Sequence, residues 1–150
     1  MITIIVETEM NAPIERCFDL TRDLDIHCQT TAWTHERILE GPGRLVELGD
    51  TITFEAVHFG LRRKLRGKIV AMDRPRQFKD EMLEGDFQLL THIHEFERRD
   101  GMTIMRDTLI IVAPFGPIGW LAERLFLGEY MRRFLVRRNA SLKETAEKPN

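Results

Sequence analysis

The chain has 150 residues, 43% of them hydrophobic and 31% charged, with a formal net charge of −2. That is one domain of ordinary size whose composition can build an apolar core. The slight negative charge excludes a general pull toward nucleic acid. The two cysteines, Cys17 and Cys28, lack metal-ligand spacing and read as reduced, buried thiols of a cytoplasmic protein.

Ile2, Ile4, Val6 and Thr8 alternate with Thr3, Ile5 and Glu7, which predicts a first strand. This start has no basic residue and too short an apolar run for a signal peptide. Asn11 reads as the N-cap of a short helix over about 12–20, with Pro13 and Glu15 in its first turn. Ile14, Cys17, Phe18 and Thr21 form its apolar stripe. Asp23 caps a second short helix running to about Thr31.

Trp33 to Leu39 is predicted as a second strand, and Gly41-Pro42-Gly43 as a loop. Ile52, Phe54, Ala56 and His58 share a face of the next strand, and Phe59-Gly60 is a hairpin tip. The return strand puts Leu65, Gly67, Ile69 and Ala71 on one face. Arg62, Lys64, Arg66 and Lys68 form a basic, solvated row on the other. After a turn at Asp73–Arg76, strands are predicted at Phe78–Leu83, Phe87–Arg98 and Met102–Val112.

From Pro114 to about Glu144 the spacing predicts one amphipathic helix of ~28 residues, ~42 Å long. Its inward face carries Leu121, Leu125, Met131, Leu135 and Leu142. Gly119 and Gly128 each cost about 1 kcal/mol against Ala and read as close packing. Phe115, Trp120, Leu125 and Phe126 make the helix start apolar on nearly every side, which we read as burial under loops rather than a lip at a cavity mouth. Arg132, Arg133, Arg137 and Arg138 read as a solvated cluster. A polar tail, 147–150, follows a single domain over 1–146.

The order is therefore one strand, two short helices, six strands and a long helix. Successive hairpins imply an antiparallel sheet that curls as it twists, and the final helix alone can cover its apolar face. The fold class is α+β: a curved seven-stranded antiparallel sheet wrapped around a long C-terminal helix.

This pattern resembles the helix-grip fold of the START-like (SRPBCC) superfamily, which includes polyketide cyclase/dehydrase-type proteins, lipid-transfer domains and plant pathogenesis-related allergens. The similar stretches are Asn-Ala-Pro-Ile-Glu-Arg-Cys-Phe at 11–18, Phe-Lys-Asp-Glu-Met-Leu-Glu-Gly-Asp-Phe at 78–87, His-Ile-His-Glu-Phe at 92–96 and Pro-Phe-Gly-Pro-Ile-Gly at 114–119. The resemblance implies an apolar or amphipathic small molecule (lipid, polyketide or aromatic) held between sheet and helix. It brings no shared catalytic residues.

Strand alternation places His92 and His94 with Leu90 and Phe96, Asp107 with Met105 and Leu109, and Asp80 with Phe78 and Met82. The expected lining is Phe54, His58, Asp80, Met82, Leu90, His92, His94, Asp107, Leu121, Leu125 and Met131. An enzymatic alternative of cyclase or dehydratase type would use His92 or His94 as acid–base group, positioned by Asp107 or Asp80. A third alternative is a membrane-edge or interaction module using the basic clusters.

His92-x-His94 has the form of a metal pair, with His58 or Asp107 as third ligand, yet such pairs are common by chance; no metal or cofactor is expected. Ser141 is the sole serine and sits outside any nucleophile elbow, and no phosphate-cradling glycine pattern occurs. No nucleic-acid partner and no stable membrane insertion are expected, and a homodimer is compatible with the sequence.

Overall fold

A computed structural model describes residues 1–149. Strand β1 (Ile2–Met10) leads into helices α1 (Ile14–Thr21) and α2 (Leu24–Thr30) and a 3-10 turn (Ala32–Thr34). Then come β2 (Arg37–Glu40), β3 (Thr51–His58), β4 (Leu61–Asp73), β5 (Gln77–Glu84), β6 (Leu89–Arg99) and β7 (Met102–Val112). The seven strands form one sheet in the order β1-β7-β6-β5-β4-β3-β2, antiparallel throughout.

Each connection follows from local chemistry. The Asp23 carboxylate accepts from the backbone N–H groups of Asp25 at 2.9 Å and Ile26 at 3.2 Å, which starts α2 as expected. Asn11 does not cap α1. Pro13 holds that position, and the Asn11 N–H donates instead to the Glu147 carboxylate at 3.1 Å. Phe59 and Gly60 both have positive φ, 53° and 74°, the two-residue turn whose twist suits a hairpin. Bulges at Arg66/Gly67 and Ile69/Ala71 bend the sheet. The second shifts the alternation, so that Met72 rather than Ala71 packs on the core.

The end of the chain is helical over 116–147: α3 (Gly116–Ala122), a π turn (Glu123–Leu127) and α4 (Gly128–Glu147). Of the expected tail, Glu147 ends α4 and Asn150 lies outside the described residues. In the main core, Phe18 meets Phe78 and Phe96 edge-on at 5.4 and 5.5 Å. Leu142 and Ala146 close it from the C-terminal half of α4. A smaller core joins Ile4, Val6, Leu109 and Ile111 to Leu135.

Several expectations are corrected. Trp33 belongs to the 3-10 turn, and the strand begins only at Arg37, because His35 takes a left-handed backbone that a strand cannot hold. Cys17 is buried but Cys28 is only half-buried. The helix start is exposed: Phe115 by 81%, Ile118 by 75% and Phe126 by 65%. Its inward face belongs to Gly119 and Glu123. A Cβ on Gly119 would lie 1.9 Å from the Pro114 carbonyl oxygen. Buried Glu123 accepts from the Ala113 N–H at 2.9 Å and from the Met1 amino group at 2.8 Å. With Gly119 and Glu123 facing inward, Leu121 and Leu125 point outward. Arg138, expected among solvated arginines, is buried. No helix is long and apolar enough to cross a membrane among the described residues.

Candidate functional site: a cavity with a histidine–aspartate floor

A cavity of about 700 Å³ lies between the concave face of the sheet and the first half of α4. Its size falls within the range of small-molecule sites.

The apolar walls come from strand alternation and from the helix. Phe54 on β3, Ile69 on β4, Phe78 on β5 and Leu90 on β6 face Met131 and Phe134 on α4. Phe59, Leu61, Phe87, Phe115 and Leu127 border the outer end. Phe59 stacks on Tyr130 at 4.4 Å and is 67% exposed. Phe59 and Phe115 both have left-handed backbones, unusual for bulky residues. Such strain persists only where the surroundings enforce it.

At the deep end His92, His94 and Asp80 reach the cavity surface. Asp107 lies just behind them, fully buried. It is 2.8 Å from His92 Nε2 and accepts from Arg138 Nη2 at 3.0 Å and Asn139 Nδ2 at 2.6 Å. His94 Nε2 is 3.2 Å from the Asp80 carboxylate. His94 Nδ1 lies 3.1 Å from Asp107 Oδ1, close enough for an ion pair but out of line for a hydrogen bond. The two imidazoles are 3.8 Å apart between centroids.

Electrostatics separates the two histidines. Burial and the neighbouring His94 push His92 down to about 4, against the pull of Asp107 and Asp80, so its ring is neutral at neutral pH. Burial would lower His94 as well, but Asp107 and Asp80 on its two sides raise it above the usual histidine value. Burial alone would raise Asp107. Arg138 and the two histidines outweigh burial and hold it well below the usual carboxylate range. Neutral His92 can act as base or acceptor toward the cavity, while His94 and Arg138 balance the two carboxylates.

Of the expected lining, Phe54, His58, Asp80, Leu90, His92, His94 and Met131 wall the cavity. His58 stands apart from the other histidines and meets the Tyr130 hydroxyl at 2.5 Å. Asp107 backs the wall without reaching it. Leu121 and Leu125 point outward, for the reason given above. Met82 also misses the cavity: β5 and β6 pair only over Gln77–Glu81, and beyond that point Met82 lies under Gly85, whose Cβ would meet its sulfur at 2.6 Å.

Sequence reasoning missed Arg138, Asn139 and Tyr130. Arg138 lies on the helical stripe between Leu135 and Leu142, and a charge interrupting that stripe was the signal available.

No family model matches the chain, and no curated protein matches it in sequence. Its fold does have counterparts. TTHA0849 from Thermus thermophilus superposes with a TM-score of 0.80 at 18% identity, over 97% of each chain. Ara h 8.0201 does so with a TM-score of 0.68 at 15% identity, again over 97% of each. Ginseng major latex-like protein 151 from Panax ginseng gives 0.66 at 13% identity over 96% of each. At such identities the likeness is one of fold, and the chain has the helix-grip α+β architecture.

Proposed function

We propose that this chain is a START-like protein that holds an apolar or amphipathic small molecule, of lipid, polyketide or aromatic type, between sheet and helix. The observation that carries this reading is the cavity itself, with apolar walls and a few convergent polar groups at one end. Wall contacts supply affinity through burial of apolar surface, and the His/Asp floor orients the polar end of the ligand. The relatives in fold support a container of this shape and leave its contents open.

The test is native mass spectrometry of protein purified from its own host, paired with displacement of 1-anilinonaphthalene-8-sulfonate. A retained compound, or saturable dye binding lost in Leu90→Trp and Met131→Trp, supports the proposal. Dye binding that is absent, or unchanged by both fillers, overturns it.

A second reading is acid–base catalysis in the same cavity, of cyclase or dehydratase type. What favours it is neutral His92, aligned by fully buried Asp107 and open to the cavity. Turnover of a captured ligand that falls in both His92→Gln and His92→Ala, with binding retained, would establish it. Equal turnover in these variants would remove it.

A further inference from the structure

We infer that Asp80, His92 and His94 form a three-ligand site for a late first-row divalent cation, Zn²⁺ in the first instance, at the deep end of the cavity. One candidate ligand atom from each lies within 4.8 Å of the others. Two ligands held ~2.0–2.1 Å from one tetrahedral ion stand about 3.3 Å apart. Asp80 Oδ2 and His94 Nε2, at 3.2 Å, already have that spacing.

The surroundings fit the same reading. His92 spends Nε2 on Asp107, which leaves Nδ1 without a hydrogen-bond partner among the described residues. Asp107 stands behind both rings and is itself held by Arg138 and Asn139. A carboxylate hydrogen-bonded behind a ligating imidazole fixes its tautomer and direction, as Asp107 does for His92. Charge supplies a separate argument. Arg138 balances Asp107, whereas Asp80 has only the His94 ring beside it, at 3.2 Å. A cation bound between Asp80 and His94 would take over that role. Two imidazoles and one carboxylate suit zinc and its neighbours, and three protein ligands leave a position open toward the cavity for water or a ligand oxygen.

This site differs from the sequence expectation, in which no metal was foreseen and the third ligand was His58 or Asp107. It does not depend on the container proposal, because it is measured without any organic ligand. The experiment uses the full, untagged chain stripped with chelator, then titrated with Co²⁺ and Zn²⁺ by calorimetry and visible absorption. We expect one Co²⁺ per chain, visible bands of a low-coordinate ion, and displacement by Zn²⁺.

Asp80→Asn, His92→Ala and His94→Ala should each abolish the bands. Asp107→Asn should weaken binding about 10–100-fold. His35→Asn, at an exposed histidine outside the cavity lining, should bind as the parent does. Absence of saturable uptake by the parent, or uptake unchanged in Asp80→Asn, overturns the inference. Asp80→Asn decides even where a histidine variant fails to fold, since it reaches the cavity surface and leaves the Asp107–Arg138 pair intact.

Discussion

Asp107 and Arg138 are the charged centre of a buried network that also holds Asn139 and His92. Removing one partner of a buried pair strands the other charge, which costs about 3–5 kcal/mol. We expect Arg138→Met to lose that amount, measured by urea unfolding, and Arg138→Met with Asp107→Leu to recover little of it, because Asn139 and His92 lose their buried acceptor. Glu36 makes a pH-dependent contribution of its own. Burial would raise its carboxyl, but His27 at 2.7 Å, with Thr31 and His58, brings it below the usual 4.5. A carboxyl depressed on folding contributes stability above its unfolded value and loses it as pH falls through the folded value. The melting temperature of the parent should therefore fall more steeply than that of Glu36→Gln as pH drops below 4.5. Equal slopes would show that Glu36 makes no such contribution.

Among the elements, the final helix shows where sequence periodicity works and where it stops. Met131, Leu135 and Leu142 sit on the inward stripe that their spacing implies, because α4 is regular there and packs on the sheet. Leu121 and Leu125 obey the same arithmetic and point outward. The π turn changes the angular count, and Glu123 and Gly119 make the tertiary contacts. Gly119→Ala would force a methyl into the Pro114 carbonyl and should cost roughly 2 kcal/mol, read as a lower urea midpoint. The floor was readable in part. Strand alternation put His92, His94, Asp80 and Asp107 on inward faces, because sheets keep a period of two between bulges. Their pairing with Arg138 and Asn139 depends on helix placement, which no local pattern encodes. The strand count, the hairpin at Phe59-Gly60 and the Asp23 cap were legible because each depends on only a few adjacent residues.

For the molecule as a whole, a solid half and a hollow half share one helix. Beyond Arg138 the helix closes on Phe18 and Phe96 through Leu142 and Ala146, and before it the sheet stands away. The outer end of the hollow half is bordered by exposed Phe59, Leu61 and Phe115, and Arg124 lies over the Trp120 ring at 3.9 Å. Apolar groups beside cations suit brief contact with an anionic lipid surface. We expect transfer of a fluorescent fatty acid from anionic vesicles to slow in Phe115→Gly, a change that relieves a left-handed backbone. Unchanged transfer would remove Phe115 from the entry route.

The early parting of β5 from β6 beyond Glu81 leaves a seam inside an otherwise continuous sheet. Across it, Met82 to Glu84 pair with β4 alone, and Leu89 and Leu90 pair with β7 alone. Backbone amides along that seam should trade hydrogen for deuterium faster than their neighbours in Gln77–Glu81. A guest lodged against Leu90 should slow them, so the seam would report occupancy without any label on the guest.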